Sequence, residues 1–596
     1  MLIDSAAPVR HPGLAAPFDP HSYAAVGMLD IDWLLDSRFT RLLDNFAASP
    51  GAFRTVRFFG ALSSGEKENV FPWSSGSVWN DPSREPDFTR TLDAIEALVS
   101  RALLPFVSLT FFPRAVAPSP ITPPSDWRAW QSLLRRFFTA LAQRFGKSTI
   151  STWPFEVWNE PNMTPFWHGS FEQYLQLYRA TSDVIRTMAT PVRIGGPTIA
   201  YVPNEGPALM ERFLRYLRDE PATRCDFISY HRKGIWVQGE NEPSLRRLVE
   251  AAEEVAGAVL RLTPGGVRGL PLVNNEADMK VAFDQPYEPR MTEQFPAWMA
   301  GVTAACDTLD TKYAAHGMRF VAASDNANQQ LVRGPFDGRR SVMTQGSASP
   351  SDLLKLPIYN FYELLRLLGD RHAVVQSAPY PPDVVHLSTV AADRIAILLS
   401  LYPEREPVRR SVSLQCIVRD LPWHEVNIVA FRIDSTLSNS YSAAGHVLDR
   451  MPVALGARRQ LRFAQELATE APIRTRVPVD NTIVMETITL ERFATVLLWI
   501  TPFSDRRPAP PAWVRAVAED GNVVLDWEPT CNPGLYSYKV TRVRSGSEVE
   551  NVVPMPLRSA RWVDTQPEPG EYTYEIRVLT ASGVLSEAAR SQPVRA

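Results

Sequence analysis

The feature that most constrains the fold is an alternation of short apolar segments with amphipathic helical segments between about residues 20 and 372. The apolar segments are continuous runs, which is typical of parallel strands that are covered on both faces. An eighth strand near Ala24–Leu29 completes the set of clear segments, which are Phe53–Leu62, Leu103–Phe112, Thr152–Glu160, Pro191–Pro197, Asp226–His231, Leu270–Glu276 and Met318–Asp325.

The helical segments follow the same repeat. A helix is predicted from Ser125, as its N-cap, to about Phe145, because bulky apolar side chains there fall on one stripe and Gly146 follows. Further helices are predicted at Phe171–Met188, Leu209–Asp219, Ser244–Leu260, Glu293–Leu309 and Leu354–Leu368. Repeated strand–helix units of this number and length predict a (β/α)8 TIM barrel over residues 20–372 rather than a doubly wound sheet.

The pattern changes after about residue 373, where helical periodicity stops and short β-like runs begin. These runs predict an antiparallel β-sandwich over residues 373–503, with residues 1–19 as a candidate addition. A proline-rich linker, Ser504–Pro511, follows. Trp527 and the alternating runs Tyr536–Val540 and Tyr572–Val578 then predict a C-terminal fibronectin type III-like domain over residues 508–596. The chain is therefore predicted to be multidomain, α/β followed by all-β.

Composition narrows the classes of partner. The 62 basic and 65 acidic residues give a net charge of -3, which favours neither nucleic acid nor an anionic membrane. No stretch is long and apolar enough to span a bilayer, and the N-terminus lacks the pattern of a secretory signal, so a cytoplasmic protein is expected. The 4 cysteines are scattered without CxxC spacing. No metal or organic cofactor is expected, and the oligomeric state stays open.

Two glutamates end predicted barrel strands, which is where barrels of this type carry their active sites. Glu160 ends the fourth strand and Glu276 ends the seventh. Glutamate is a poor strand residue and costly to bury, although either one alone could be a surface carboxylate. Opposed strand ends can bring two carboxyl groups within about 5–5.5 Å, as a retaining glycosidase requires. Glu160 is therefore predicted to be the general acid/base and Glu276 the nucleophile.

The segment FEVWNEPNMTPFW, which contains Glu160, resembles the acid/base signature of clan A glycoside hydrolases. Together with the following QYLQLY it resembles glycoside hydrolase family 39, which contains β-xylosidases and α-L-iduronidases. This resemblance implies the same roles for Glu160 and Glu276 and a hydrogen bond from Asn159 to the sugar 2-hydroxyl.

Other segments are similar to the iduronidase branch, namely His231–Gly234 (HRKG) and Asn275–Asp278 (NEAD). The resemblance implies that a set of side chains binds the sugar, with an arginine on its carboxylate: His231, Lys233, Asp325 and Arg339. Arginine and lysine suit a uronic acid because its charge must be paired on entering the site. The alternative interpretation is that Arg232, Lys233 and Arg339 are solvated loop charges without a role in binding. Phe59 stands where the family has a histidine that contacts the sugar.

Three functions remain open. The first is a retaining exo-glycoside hydrolase that acts on a terminal uronic acid by double displacement. The second is a β-xylosidase or another neutral-sugar exo-glycosidase of the same family. The third is a non-catalytic carbohydrate-binding protein, which would have no reason to keep both Glu160 and Glu276. In each case the expected partner is an oligosaccharide or glycoside, and neither nucleic acid nor a membrane.

Overall fold

The computed structural model describes most of the chain in ranges separated by short gaps. The described residues are 2–9, 25–27, 31–63, 76–188, 190–236, 242–263, 269–281, 285–326, 328–346, 349, 352–376, 383–404, 410–445, 455–530, 532, 534–544 and 549–596. Within these ranges, no helix combines the length and the apolarity that crossing a bilayer requires.

Eight parallel strands form one sheet in which each strand pairs with the next in the sequence. They are Ala25–Gly27, Thr55–Phe58, Leu104–Ser108, Pro154–Glu156, Arg193–Ala200, Phe227–His231, Pro271–Asn274 and Arg319–Ala322. The eighth strand lies beside the first. Asp325 follows the eighth strand, and its Oδ1 would be only 2.9 Å from a Cβ added to Gly27, the last residue of the first strand. The predicted (β/α)8 barrel is therefore confirmed.

Helices connect these strands and pack their apolar stripes against the sheet. The longer ones are Ser37–Ala47, Thr89–Val99, Arg128–Phe145, Phe171–Thr187, Glu205–Asp219, Leu245–Leu262, Gln294–Lys312 and Pro357–Leu365. Short helical turns lie at Ile31–Leu35, Lys147–Ile150, Glu288–Met291, Ala314–His316 and Gln330–Arg333.

Two helix starts differ from the sequence prediction. The helix expected from Ser125 begins at Arg128, whose backbone N–H donates to the carboxylate of Asp126. The helix expected from Leu354 begins at Pro357, because Leu353–Lys355 is a strand that pairs with Met343–Gln345. Proline is favoured in the first turn of a helix, where its missing N–H has no partner to lose.

A ten-stranded sheet with an additional strand pair follows the barrel. Its strands are Leu2–Val9, Arg371–Gln376, Val384–Ala391, Arg394–Leu401, Ile417–Arg419, Val426–Ile433, Ala468–Thr469, Arg474–Arg476, Ile483–Val484 and Thr495–Pro502, and the pair is Ser411–Leu414 with Ile488–Glu491. The N-terminal strand thus belongs to this sheet. Helices at Ser440–Ala444 and Leu455–Ala464 contradict the expectation that helices end near residue 373. Leu461 of the second helix is buried in the apolar cluster that joins the barrel to this sheet, and this packing stabilises the helix.

Two antiparallel sheets form the C-terminal region. One contains Val514–Glu519, Asn522–Trp527 and Arg561–Asp564, and the other contains Leu535–Arg544, Val549–Asn551, Glu571–Thr580, Ala589–Arg590 and Val594–Arg595. Trp527, Tyr538 and Tyr574 lie in the core between them. The backbone of Ala560 donates to Ala48 in the barrel at 2.7 Å, so the region packs directly on the barrel. Its fibronectin type III-like character stays a prediction.

Candidate active site

Glu160 and Glu276 meet at the C-terminal end of the barrel. Glu160 follows the fourth strand, Pro154–Glu156, and Glu276 follows the seventh, Pro271–Asn274. They are 8% and 7% exposed. One oxygen of each carboxylate and one ring nitrogen of His231 all lie within 4.8 Å of one another. Two carboxyl groups this close together are in the range in which a double-displacement mechanism is possible.

The backbone that carries Glu160 adopts a disfavoured conformation. Trp158 has φ 73° and Glu160 has φ 42°, both in the left-handed region that residues with a Cβ rarely occupy. Asn162 stabilises this turn, because its side chain exchanges two 3.0 Å hydrogen bonds with the backbone of Ala200. The backbone N–H of Glu160 donates to Thr198 at 2.9 Å. Strain held in this way by surrounding contacts is concentrated at functional sites.

Glu276 is surrounded by cationic groups. Nη1 of Arg57 donates to its Oε1 at 2.9 Å, and Nζ of Lys233 donates to its Oε2 at 2.5 Å. Burial by itself would raise the pKa of Glu276, but His231, Lys233, Arg57 and Arg340 together hold this pKa well below its usual range. Glu276 is therefore ionised at neutral pH, which is the state a nucleophilic carboxylate requires.

His231 links the two carboxylates. Its Nδ1 lies 2.8 Å from Oε1 of Glu160 and 3.5 Å from Oε1 of Glu276, and the ring is fully buried. The residue was predicted to bind substrate, and the structure places it against both glutamates. Asn159, predicted to bind the 2-hydroxyl, lies beside them and accepts from Nη2 of Arg57 at 2.9 Å through its Oδ1. Its amide nitrogen remains a donor for a sugar oxygen.

Arg57 and Glu156 are parts of the site that the sequence interpretation did not identify. Nε and Nη2 of Arg57 donate to Oε2 of Glu156 at 2.8 and 2.6 Å. Nδ2 of Asn275 donates to the other oxygen of Glu156 at 2.8 Å. A charged residue inside a continuous apolar strand was the available signal, because arginine and glutamate are almost never fully buried unless they are paired. Phe59 lies under the Arg57 guanidinium, with its ring centre 4.6 Å away.

Lys233 and Asp325 were both predicted to bind the sugar. Lys233 contacts Oε2 of Glu276, whereas Arg57 contacts Oε1. Nζ of Lys233 is 3.5 Å from Oδ2 of Asp325. Arg340 pairs with the carboxylates of both Asp325 and Asp278. Burial raises the pKa of Asp325, and the charge of Glu276 adds to this rise, while Arg340 and Lys233 oppose it. The result is a dense group of alternating charges beside the predicted nucleophile.

The predicted carboxylate-binding arginine is Arg339, and the structure adds its neighbour. The Arg339 side chain is 22% exposed and pairs with Asp337, whereas the Arg340 side chain is 3% exposed and contacts Asp325. The sequence offers two consecutive arginines and no local signal that separates them. The Ala282–Phe283 segment, noted for its position after the NEAD motif, lies outside the described residues.

Glu160, His231 and Glu276 are close enough to hold a metal ion. The surroundings do not favour one, since Arg57 and Lys233 occupy both oxygens of Glu276 and would repel a divalent cation. Two carboxylates with one histidine between them are better suited to proton transfer and nucleophilic attack. The absence of a metal cofactor stays a prediction.

Comparisons with known proteins give the site its context. The model of the glycosyl hydrolases family 39 matches residues 52–454. A β-xylosidase of Caldicellulosiruptor saccharolyticus is 32% identical over 150 residues, which are 23% of this chain and 29% of that protein. The α-L-iduronidase of Mus musculus is 24% identical over 465 residues, 71% of this chain and 70% of that protein. The solved bacterial orthologue of human α-L-iduronidase shares the fold, with a TM-score of 0.80, 19% identity and coverage of 100% and 99% of the two chains.

Proposed function

This chain belongs to the glycosyl hydrolases family 39, and from that premise we propose that it is a retaining exo-glycosidase that removes a terminal uronic acid by double displacement. The observation that carries the proposal is the pair of buried carboxylates within 4.8 Å, one of which is held ionised by adjacent cations. Family membership also favours an enzyme over a non-catalytic binding protein.

In the first step Glu276 attacks the anomeric carbon while Glu160 donates a proton to the departing glycosidic oxygen. The bond from the anomeric carbon to the leaving group breaks, and an ester to Glu276 forms. Arg57 and Lys233 each bind one oxygen of the Glu276 carboxylate and fix its position. A carboxylate that is already oriented toward the anomeric carbon reacts faster, because little freedom is lost in the transition state. His231 orients Glu160 through their 2.8 Å contact.

In the second step Glu160, now ionised, takes a proton from water, and the water oxygen attacks the anomeric carbon. The ester bond breaks and the Glu276 carboxylate is regenerated. Two inversions at the same carbon give net retention of configuration. The amide nitrogen of Asn159 can donate to the sugar 2-hydroxyl during both steps, because its oxygen is already used by Arg57.

The preference for a uronic acid is supported by the cations around Lys233. An ammonium group has three N–H donors, and Glu276 and Asp325 account for two of them. The third donor, together with Arg340, which pairs with the same Asp325 carboxylate, can bind a sugar carboxylate. The similarity to an iduronidase over 71% of the chain points the same way.

A neutral sugar is the second candidate. Arg340 and Lys233 already have carboxylate partners, so their burial does not itself demand a charged substrate. Phe59 also presents an apolar ring beside Arg57, and a β-xylosidase is among the relatives.

The two candidates are separated by kcat/KM on an aryl α-L-iduronide and on an aryl β-D-xyloside, with the anomeric form of the first product followed by NMR. The uronic acid proposal expects faster hydrolysis of the iduronide with retention. Preference for the xyloside would establish the neutral-sugar candidate, and an inverted product would refute the double displacement.

A further inference from the structure

A second cavity lies between the barrel and the C-terminal region, at the end of the barrel opposite to the glutamates. We call it the rear cavity, and its volume is about 420 Å³. Its barrel wall includes Ala48 and Ser100, which precede the second and third strands and so lie at their N-terminal ends. Its other wall comes from the strands Val514–Glu519 and Asn522–Trp527. The volume suits a small organic ligand.

The walls of the rear cavity carry four arginines and three carboxylates. Most of these charges are paired: Arg41 with Glu519 at 2.7 Å, Arg101 with Asp44 at 2.7 Å, and Arg561 with Asp526 at 2.5 Å. The fourth arginine, Arg515, is exposed at the rim. The walls therefore carry one more positive than negative charge, which favours an anionic ligand.

One buried N–H donor in the same walls lacks an acceptor. Nη1 of Arg561 pairs with Asp526, but among the residues that the structure describes its Nη2 has no hydrogen-bond partner. Arg561 is 6% exposed. A buried donor without an acceptor is costly, so an oxygen-bearing occupant of the cavity would remove an unfavourable contribution to the free energy of folding.

Trp513 supplies an apolar surface at the mouth of the rear cavity. It is 50% exposed and lines the cavity directly. An exposed indole ring offers a large rigid face for the C–H side of a sugar ring, while the nearby N–H groups can meet its oxygens. We propose that the rear cavity is a non-catalytic binding site for an acidic oligosaccharide that contains uronic acid. The choice of this saccharide class rests on the proposed function, whereas the cavity and its unpaired Arg561 donor do not.

Binding at the rear cavity can be measured through the 19F resonances of its tryptophan side chains. Full-length protein carrying Glu276→Ala, which prevents turnover, is labelled with 5-fluorotryptophan, and the 19F resonances are assigned with Trp513→Phe and Trp527→Phe variants. Tetragalacturonate is the acidic probe and xylotetraose is the neutral control of equal length. We expect saturable shifts of the Trp513 and Trp527 resonances with tetragalacturonate. Unshifted resonances at millimolar probe, or tighter binding of xylotetraose, would overturn the proposal.

Two variants test the stacking contact of Trp513 and the charge of Arg515 separately. Trp513→Ala should weaken tetragalacturonate binding about tenfold, read from the Trp527 resonance, because it removes the stacking face. Arg515→Gln should reduce the preference for tetragalacturonate over xylotetraose. Phe503→Ala, which removes an aromatic ring that is 39% exposed elsewhere, is the matched control and should change neither. Undiminished binding by Trp513→Ala would overturn the proposal.

Binding at the rear cavity and catalysis are measured separately, so the failure of one proposal can be distinguished from the failure of the other. In the otherwise wild-type protein, Trp513→Ala should leave kcat/KM on a small aryl glycoside unchanged, because such a substrate does not reach the opposite end of the barrel. If the enzyme prefers a xyloside but tetragalacturonate still shifts Trp513, the rear cavity stands and the uronic acid proposal falls.

Discussion

Two buried groups of charged side chains differ in the way that their carboxylates are paired, one in the proposed active site and one between the barrel and the residues that follow it. The carboxylate cluster at the C-terminal end of the barrel comprises Arg57, Glu160, His231, Lys233 and Glu276. The interdomain cluster, between the barrel and the helix Leu455–Ala464 with the residues that follow it, comprises Asp352, Lys355, Arg462 and Glu466. Both are almost fully buried, so burial of charge is not by itself a sign of an active site.

The difference lies in how the carboxylates are paired. In the interdomain cluster each has its own cation: Lys355 lies 2.7 Å from Glu466, and Arg462 pairs with Asp352. In the carboxylate cluster Glu276 contacts Arg57, Lys233 and, at 3.5 Å, His231, whereas the charged contact that the described residues make with Glu160 is His231. Two carboxylates that share a histidine, at the ends of opposed strands, are arranged for reaction with a third molecule rather than for mutual neutralisation.

Removing Glu276 should have the largest effect on activity. Glu276→Ala should lower kcat by at least about a thousandfold, because no covalent intermediate can form. Added azide or formate should restore turnover and give a product of inverted configuration, since a small anion can attack from the vacated space. Undiminished kcat, or rescue with retention, would contradict the assignment.

Removing the acid should give an effect that depends on the leaving group. Glu160→Gln should slow a substrate with a basic alcohol leaving group by about 10²–10⁴-fold and an activated aryl glycoside far less, because proton donation matters most for a basic departing oxygen. The measurement is kcat/KM across a series of leaving groups. An equal loss on every member would show that Glu160 is not the acid.

The interdomain cluster should respond in stability rather than in rate. Lys355→Ala leaves Glu466 buried without its cation and should lower the free energy of unfolding by about 3–5 kcal/mol. Urea unfolding measures this loss, while kcat/KM per folded molecule should stay at the wild-type value. A large fall in kcat/KM with unchanged stability would mean that the two clusters do not differ as described.

If the substrate carries a carboxylate, removing Arg339 and removing Arg340 should change kcat/KM in different ways. Arg339→Ala should lower kcat/KM on an aryl α-L-iduronide by about tenfold, less than a fully buried pair would give, because the side chain is 22% exposed. It should hardly change hydrolysis of an aryl β-D-xyloside. Arg340→Ala should lower both, since Arg340 also holds Asp325 beside Lys233. A silent Arg339→Ala with a preference for the xyloside would favour the neutral sugar.

The smallest expected effect concerns pH. Although burial opposes it, the interactions of Glu276 with His231, Lys233, Arg57 and Arg340 lower its pKa, so the carboxylate stays ionised as pH falls. The acid limb of kcat/KM that reports the nucleophile should therefore lie below the pH range in which an ordinary glutamate titrates. Lys233→Met should move this limb up by about one pH unit, because the ionised form loses a cation. An unmoved limb would show that Lys233 does not hold Glu276 ionised.

Much of the fold and the two glutamates could be predicted because they depend on local patterns. Continuous apolar runs predicted the barrel strands, and a glutamate at a strand end stands out against them. Arg57 and Glu156 were missed because their pairing joins the second and fourth strands, and only the register of the sheet brings them together. The start of the Pro357 helix was misplaced because Leu353–Lys355 is an apolar segment whose strand partner lies elsewhere in the chain.

The central claim is that Glu276 forms a covalent bond to the sugar, and it can be tested by trapping that bond. The protein is incubated with 2-deoxy-2-fluoro glycosyl fluorides of L-iduronic acid and of D-xylose, which slow the second step more than they slow formation of the ester, and is then digested and mapped by mass spectrometry. We expect one sugar per chain on the peptide that contains Glu276, and none on a Glu276→Ala variant. A label on another residue, or no label together with an inverted product from an ordinary substrate, would contradict the account.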